Sequence, residues 1–164
     1  MTMPRVAIFM GSASDEEKMR PCADVLKKLG VDYLFTITSA HRTPERTATL
    51  VAELEAGGCQ VFICAAGLAA HLAGAVAAKT IRPVLGVPLT ASPLGGMDAL
   101  LATVQMPPGF PVGTLALDKV GARNAAWLAA QIVALNDPAL AAKIKDARAE
   151  FVAQVEAAAD KLAQ

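Results

Sequence analysis

Arg5-Val6-Ala7-Ile8-Phe9-Met10-Gly11-Ser12-Ala13-Ser14-Asp15 runs from an apolar stretch of strand length through a glycine into hydroxyls and an acid. Residues 16–29 that follow carry a helical pattern, and Gly30 supplies its stop signal. The same order of strand, polar loop and helix then recurs. Residues 31–37 read as a strand and 44–56 as a helix closed by Gly57-Gly58. Residues 60–65 and 70–80 repeat the pair, 83–88 and 112–117 add two more strands, and 123–135 a further helix. Strands apolar on both faces that alternate with helices indicate a parallel sheet covered on both sides, an α/β fold. At Asn136-Asp137-Pro138 the chain breaks; Asp137 can cap, and Pro138 can open, an extra C-terminal helix of ordinary amphipathic pattern running to about residue 162. With no repeat, linker or low-complexity tract, residues 1–164 are expected to form one domain.

In a right-handed βαβ sheet every strand-to-helix loop leaves at the same edge, and ligands bind outside those carboxyl ends. The loops at 11–15, 39–44, 67–74 and 88–96 are therefore expected to cluster. Two of them carry the only histidines, His41 and His71.

Composition narrows the function. Fifteen Lys and Arg balance fifteen Asp and Glu, with no basic stripe, so neither nucleic acid nor an anionic membrane is an expected partner. The unbroken uncharged span from 56 to 78 is interrupted by Gly57, Gly58, Gln60, Gly67, His71 and Gly74, and parses as strand, loop and helix rather than a membrane span. The N-terminus enters a strand with no leader pattern, and Cys22, Cys59 and Cys64 lack metal or redox spacing. Buried reduced thiols in the cytoplasm are expected. Hydrophobic residues make up 54% of the chain, and the 123–135 helix is apolar nearly all round, which predicts burial in a core or at a homo-oligomer contact.

Each loop has a structural and a chemical reading. Gly11-Ser12-Ala13-Ser14-Asp15 offers hydroxyls and first-turn amides to a phosphate, and Asp15 suits a sugar diol. A capping box of Ser14 with Glu17 explains the same residues without function. In Ser39-Ala40-His41-Arg42-Thr43-Pro44 the cap Thr43 and first-turn Pro44 open a helix, which leaves His41 and Arg42 unexplained. An imidazole can trade a proton near neutral pH, and a guanidinium beside it can hold a phosphate. His71 fits either a buried imidazole satisfied by a carbonyl or a substrate wall. Two histidines without a third ligand do not suggest a metal. The 88–96 segment, with Thr90 and Ser92 but no titratable group, reads as a wall or lid; Met97, Met106 and Pro107-Pro108-Gly109 read as packing and a rigid loop.

Taken together, Gly11–Asp15, Ser39–Pro44 and Ala66-Gly67-Leu68-Ala69-Ala70-His71-Leu72 resemble the three loops of the class I N5-carboxyaminoimidazole ribonucleotide mutase family, the catalytic-subunit family of phosphoribosylaminoimidazole carboxylase. Lys79-Thr80, Pro83-Val84-Leu85-Gly86-Val87-Pro88, Val104-Gln105-Met106-Pro107 and Pro111-Val112-Gly113-Thr114-Leu115-Ala116 match in kind, in order and at compatible spacing. The resemblance implies a three-layer, flavodoxin-like doubly wound sheet and a cytoplasmic homo-octamer with sites at subunit junctions. It implies movement of a carboxylate from an exocyclic nitrogen to a ring carbon of a small-molecule ribonucleotide in purine biosynthesis, with neither metal nor organic cofactor. By position, Ser12, Ser14 and Arg42 would hold the 5′-phosphate, Asp15 the ribose hydroxyls, and Ser39, Gly67 and His71 would line the substrate site. His41 would be general acid and base. The chain departs from the family pattern at Leu68, Ala73 and Asp118.

Two other activities compete. Direct carboxylation of aminoimidazole ribonucleotide belongs to a sister class that shares the first two loops but not the Ala-Ala-His-Leu form of the third, so His71 favours the mutase. A non-catalytic module binding FMN or another nucleotide would need loop aromatics, yet aromatics are 4% and Tyr33 and Trp127 fall inside predicted elements.

Overall fold

Strands β1 (Val6–Met10), β2 (Tyr33–Ile37), β3 (Val61–Gly67), β4 (Val84–Leu89) and β5 (Gly113–Thr114) form one sheet in the order β2-β1-β3-β4-β5. All pairings are parallel in the computed structural model, which describes residues 3–162. Ile8 sits opposite Phe35 on one side and Ile63 on the other, so β1 is an interior strand and its side chains must be apolar on both faces. Val6, Ile8 and Met10 enter one core with Met19, Leu26, Ala125 and Ala129, whereas Ala7 and Phe9 enter a second with Val51, Phe62, Leu72 and Val76. Each large apolar side chain removed from water this way contributes about 1.5–3 kcal/mol. The flavodoxin-like expectation holds.

Helices α1 (Glu16–Leu29) and α5 (Asp118–Ala134) cover the first face, and α2 (Pro44–Ala56) and α3 (Leu72–Ala77) the second. The last helix, α6 (Pro138–Leu162), lies outside α1 and α5. Asp137 caps it as expected: its Oδ1 accepts the Leu140 N–H at 3.0 Å while Oδ2 pairs with Arg5 at 2.7 Å. Only Leu140, Ile144 and Ala147 of this helix are buried, and its distal half stands exposed, so the amphipathic reading holds for its first turns alone.

Three expectations need correcting. Met97, read only as a packing residue, opens a helix that was not expected, α4 (Met97–Val104), seated by Ala99 and Thr103. The fifth strand shrinks from 112–117 to two residues because it pairs only along β4, through Leu85 and Gly86. The alanine-rich helix starts at Asp118, five residues early. Its Ala122, Ala125, Ala126, Ala129 and Ala130 are spent inside the chain's own core. All three cysteines are free and buried, and burial pushes the Cys59 thiol up to about 11. No helix among the described residues is long and apolar enough to cross a membrane.

The strand order places β1 beside β3, where the chain's direction of progress across the sheet reverses. Loops leaving β1 and β3 diverge there and leave a crevice. The Gly11 N–H donates to the Ala65 carbonyl at 3.1 Å, tying the two loops together at their base.

Candidate active site

The first loop winds into a 3-10 turn, Ala13–Asp15, rather than waiting for α1. Ser12 caps that turn: its Oγ accepts the Ser14 N–H at 3.4 Å, and its own N–H donates to Asp15 Oδ2 at 3.0 Å. The capping box is therefore Ser12 with Asp15, not Ser14 with Glu17, and Glu17 instead meets Lys119 at 2.6 Å. Ser14 Oγ donates to Ser12 Oγ at 3.0 Å, so both hydroxyls face one point. Burial pushes the Asp15 carboxyl above its ordinary value, against the pull of the Ser12 N–H, the Ser14 hydroxyl, Lys18 and Arg42.

The second loop is knotted by Ser39. Its Oγ accepts the Arg42 N–H at 3.2 Å, and its N–H donates to Thr43 Oγ1 at 2.9 Å. Thr43 thus occupies the cap position of α2 but turns its hydroxyl back into the loop instead of onto the helix. Behind it Thr38 and Thr47 share a buried bond of 2.8 Å. This knot holds His41 and Arg42 outward, both exposed. Arg42 reaches across to the Gly11 carbonyl at 3.0 Å, which ties its guanidinium to the first loop.

The third loop carries His71 to the same place. His41 Nε2 and His71 Nδ1 lie 2.9 Å apart, ring edge to ring face, with centroids 4.9 Å apart. One nitrogen must carry the hydrogen and the other the lone pair, so the contact couples the two tautomers. The alternative of a buried imidazole satisfied by a carbonyl fails, because His71 is exposed and its ring is met by another ring. Gly67 is required by space: a Cβ there would sit 2.6 Å from Ala91 Cβ and 3.1 Å from the Leu89 carbonyl oxygen. Leu68 beside it takes φ of 56°, a left-handed conformation that favours glycine.

Ser12, Ser14, Asp15, Ser39, His41, Arg42, Gly67 and His71 all line one cleft of about 500 Å³. Apolar residues, among them Ala66, Leu68, Ala69 and Ala91, complete its walls. The 88–96 segment was expected as a wall, but Ala91 within it was not singled out, since an apolar residue gives no chemical signal. Its polar end is Ser12, Ser14, Asp15 and Arg42, and its other end is the imidazole pair over small apolar residues. No Phe, Tyr or Trp lines it among the described residues, which removes the stacking surface a flavin would want. A larger cavity, about 800 Å³, opens at the opposite edge of the sheet. There Glu55 already holds Thr80 at 2.6 Å and Arg82 at 3.5 Å, and no imidazole is near. Size favours that cavity; chemistry favours the cleft. Among the described residues no three His, Cys, Asp or Glu side chains gather as metal ligands.

The family model described as AIR carboxylase matches residues 5–154. A protein of Brucella melitensis named N5-carboxyaminoimidazole ribonucleotide mutase is 50% identical over 156 residues, covering 95% of this chain and 94% of its own. Proteins of the same name from Escherichia coli (50% identical, 88% of this chain and 85% of its own) and Thermotoga maritima (45% identical, 99% and 94%) are similar as well. The crystal structure of Treponema denticola PurE superposes with a TM-score of 0.88 at 29% identity, covering 97% of this chain and 98% of that one.

Proposed function

Because the chain belongs to the AIR carboxylase family, we propose that it is the isomerase that converts N5-carboxyaminoimidazole ribonucleotide to 4-carboxy-5-aminoimidazole ribonucleotide in purine biosynthesis. The observation that carries this reading is the division of the cleft. Phosphate-competent groups gather where Arg42 reaches Gly11, and a coupled imidazole pair stands over small apolar walls at the other end.

In this mechanism Ser12, Ser14 and Arg42 hold the 5′-phosphate through charge-assisted hydrogen bonds. Asp15 accepts from the ribose hydroxyls, and the aminoimidazole then reaches the histidines. His41 protonates the carbamate nitrogen, the nitrogen–carbon bond breaks, and carbon dioxide is released beside an electron-rich ring. The ring carbon attacks the enclosed carbon dioxide and forms the new carbon–carbon bond. His41 takes the proton from that carbon and restores aromaticity. One group that first donates and then accepts a proton suffices. Holding carbon dioxide against the carbon makes the second step effectively intramolecular. Ala66, Gly67 and Ala69 leave room for it, and His71 holds the His41 ring in place.

Residues 1–164 are read as one catalytic domain, acting as a homo-octamer in the cytoplasm. The family's description as a carboxylase favours one second reading, direct carboxylation with free carbon dioxide. A single assay separates them: conversion of N5-carboxyaminoimidazole ribonucleotide with bicarbonate scrubbed. Isomerisation at a rate independent of added bicarbonate supports the mutase. Reaction only of the decarboxylated nucleotide, and only with bicarbonate, replaces it with the carboxylase.

A further inference from the structure

Three residues that this chemistry does not use meet behind the cleft wall. Asp118 opens α5 with φ of 53°, a left-handed conformation uncommon outside glycine that aspartate enters more readily than most residues. Its carboxylate is fully engaged. Oδ1 accepts the Thr90 N–H at 2.9 Å, Oδ2 accepts the Thr90 hydroxyl, and Lys18 Nζ of α1 lies 2.9 Å from Oδ1. Lys18 also donates to Thr90 Oγ1 at 2.7 Å and to the Thr90 carbonyl. Every polar group of Thr90 is therefore engaged, from two helices at once. Burial works to raise the Asp118 carboxyl, but the bonds from Thr90 and Lys18 prevail and hold it below its ordinary value.

Thr90 is the first residue beyond β4, and Ala91 after it lines the cleft. Ala91 lies flush on Gly67, where even a methyl group has no room. The far end of the segment is seated on the same residue: a Cβ at Gly96 would come within 2.9 Å of Thr90 Cγ2 and 2.2 Å of Leu117 Cδ2. The wall's two ends thus depend on where Thr90 stands.

We propose that Lys18, Thr90 and Asp118 form a clamp that presses the 90–96 wall against Gly67 and so keeps the carbon dioxide intermediate in the cleft. Lys18 and Asp118 are positioning residues; neither lines the cleft. The inference rests on the mutase reading for its role in transfer, and on geometry alone for its hold on the wall. When the wall yields, the carbamate nitrogen still takes its proton and the nitrogen–carbon bond still breaks. Carbon dioxide then leaves before the carbon–carbon bond forms, and the decarboxylated nucleotide accumulates.

Asp118→Gly is the discriminating variant, because glycine accepts the left-handed backbone freely and only the carboxylate is lost. With the enzyme-free rate subtracted, the fraction of substrate released as decarboxylated nucleotide is expected to rise at least about threefold over wild type, and Lys18→Met is expected to do the same. The double variant should be no worse than either single one, since both break one unit. Independently of turnover, amide hydrogen exchange over residues 90–96 should quicken about tenfold in Asp118→Gly. Wild-type partition in an active Asp118→Gly enzyme overturns the role in transfer, and unchanged exchange overturns the clamp. A wild-type enzyme that converts no nucleotide overturns the mutase reading instead, and the exchange result then decides the clamp by itself.

Discussion

His41 and His71 come from loops thirty residues apart and meet nitrogen to nitrogen, so their roles separate by substitution. His41→Asn should lower kcat by about 10²–10⁴-fold, the usual worth of a positioned acid–base group, with ribonucleotide affinity retained. Rapid turnover by that variant would remove His41 from the proton transfers. Arg42→Ala should instead weaken binding about 10- to 100-fold, because a charge-assisted bond to phosphate is lost; titration calorimetry with the nucleotide reads this directly. Asp15 couples function to stability. Burial, chiefly, holds its carboxyl above the ordinary value, so the folded protein binds that proton more tightly than the unfolded chain. Stability from this group is present at low pH and is lost as pH rises through the interval up to its folded value, leaving the ionised carboxylate destabilising at neutrality. Asp15→Asn should therefore melt higher than wild type at pH 7, with the gap closing as pH falls toward about 4, while ribonucleotide affinity drops. A lower melting temperature at pH 7 would mean that the bonds to Ser12 and Ser14 outweigh the buried charge.

At the scale of elements, the strand that ends in Gly67 sets the width of the cleft. Gly67→Ala drives a methyl group into Ala91 and the Leu89 carbonyl, an overpacking that should cost about 1–3 kcal/mol and displace the wall with loss of activity. Its neighbour behaves oppositely. Leu68 is exposed with φ of 56°, so Leu68→Gly should relieve strain and gain up to about 1 kcal/mol, a rise of about 2–4 °C in Tm by calorimetry. The alternation of strand and helix was legible because β1 and β3 are apolar on both faces, a pattern that only a covered parallel sheet uses. That the eight expected residues line one cleft follows from topology, which brings the loops after β1, β2 and β3 to one edge, whereas their individual roles come from the family resemblance and are what the substitutions above test. α4 was not legible, since its eight residues are too few to show a clear helical period and stand between Gly95-Gly96 and Pro107-Pro108. Ala91 was legible only as part of the 88–96 wall, because an apolar residue carries no chemical signal of its own. The bonds of Lys18 and Asp118 to Thr90 span 72 and 28 residues and exist only once β4 brings α1 and α5 together.

For the whole molecule, the proposed assembly would need a different surface from the alanine-rich helix that composition pointed to. The alanine face of α5 is consumed within the chain, so it leaves nothing for a partner. Met97, Leu101 and Val104, spaced along α4, are 55%, 49% and 46% exposed, and Ile81 at the far edge of the sheet is 95% exposed. A single helix presenting apolar side chains at every turn to water is characteristic of a buried interface. Zero formal charge removes the long-range repulsion that would keep copies apart. The octamer that the family resemblance implies predicts, by light scattering at micromolar concentration, about eight times the chain's 16.9 kDa. Leu101→Glu places a charge in the middle of the α4 stripe, where burial without a partner is costly. It should shift the mass toward smaller species without unfolding the chain, because Leu101 lies outside both cores and α4 is seated through Ala99 and Thr103. Circular dichroism checks the fold and the same scattering run checks the mass. An unchanged octameric mass in Leu101→Glu would place the contact on another surface, and a wild-type mass of 16.9 kDa would end the assembly proposal altogether.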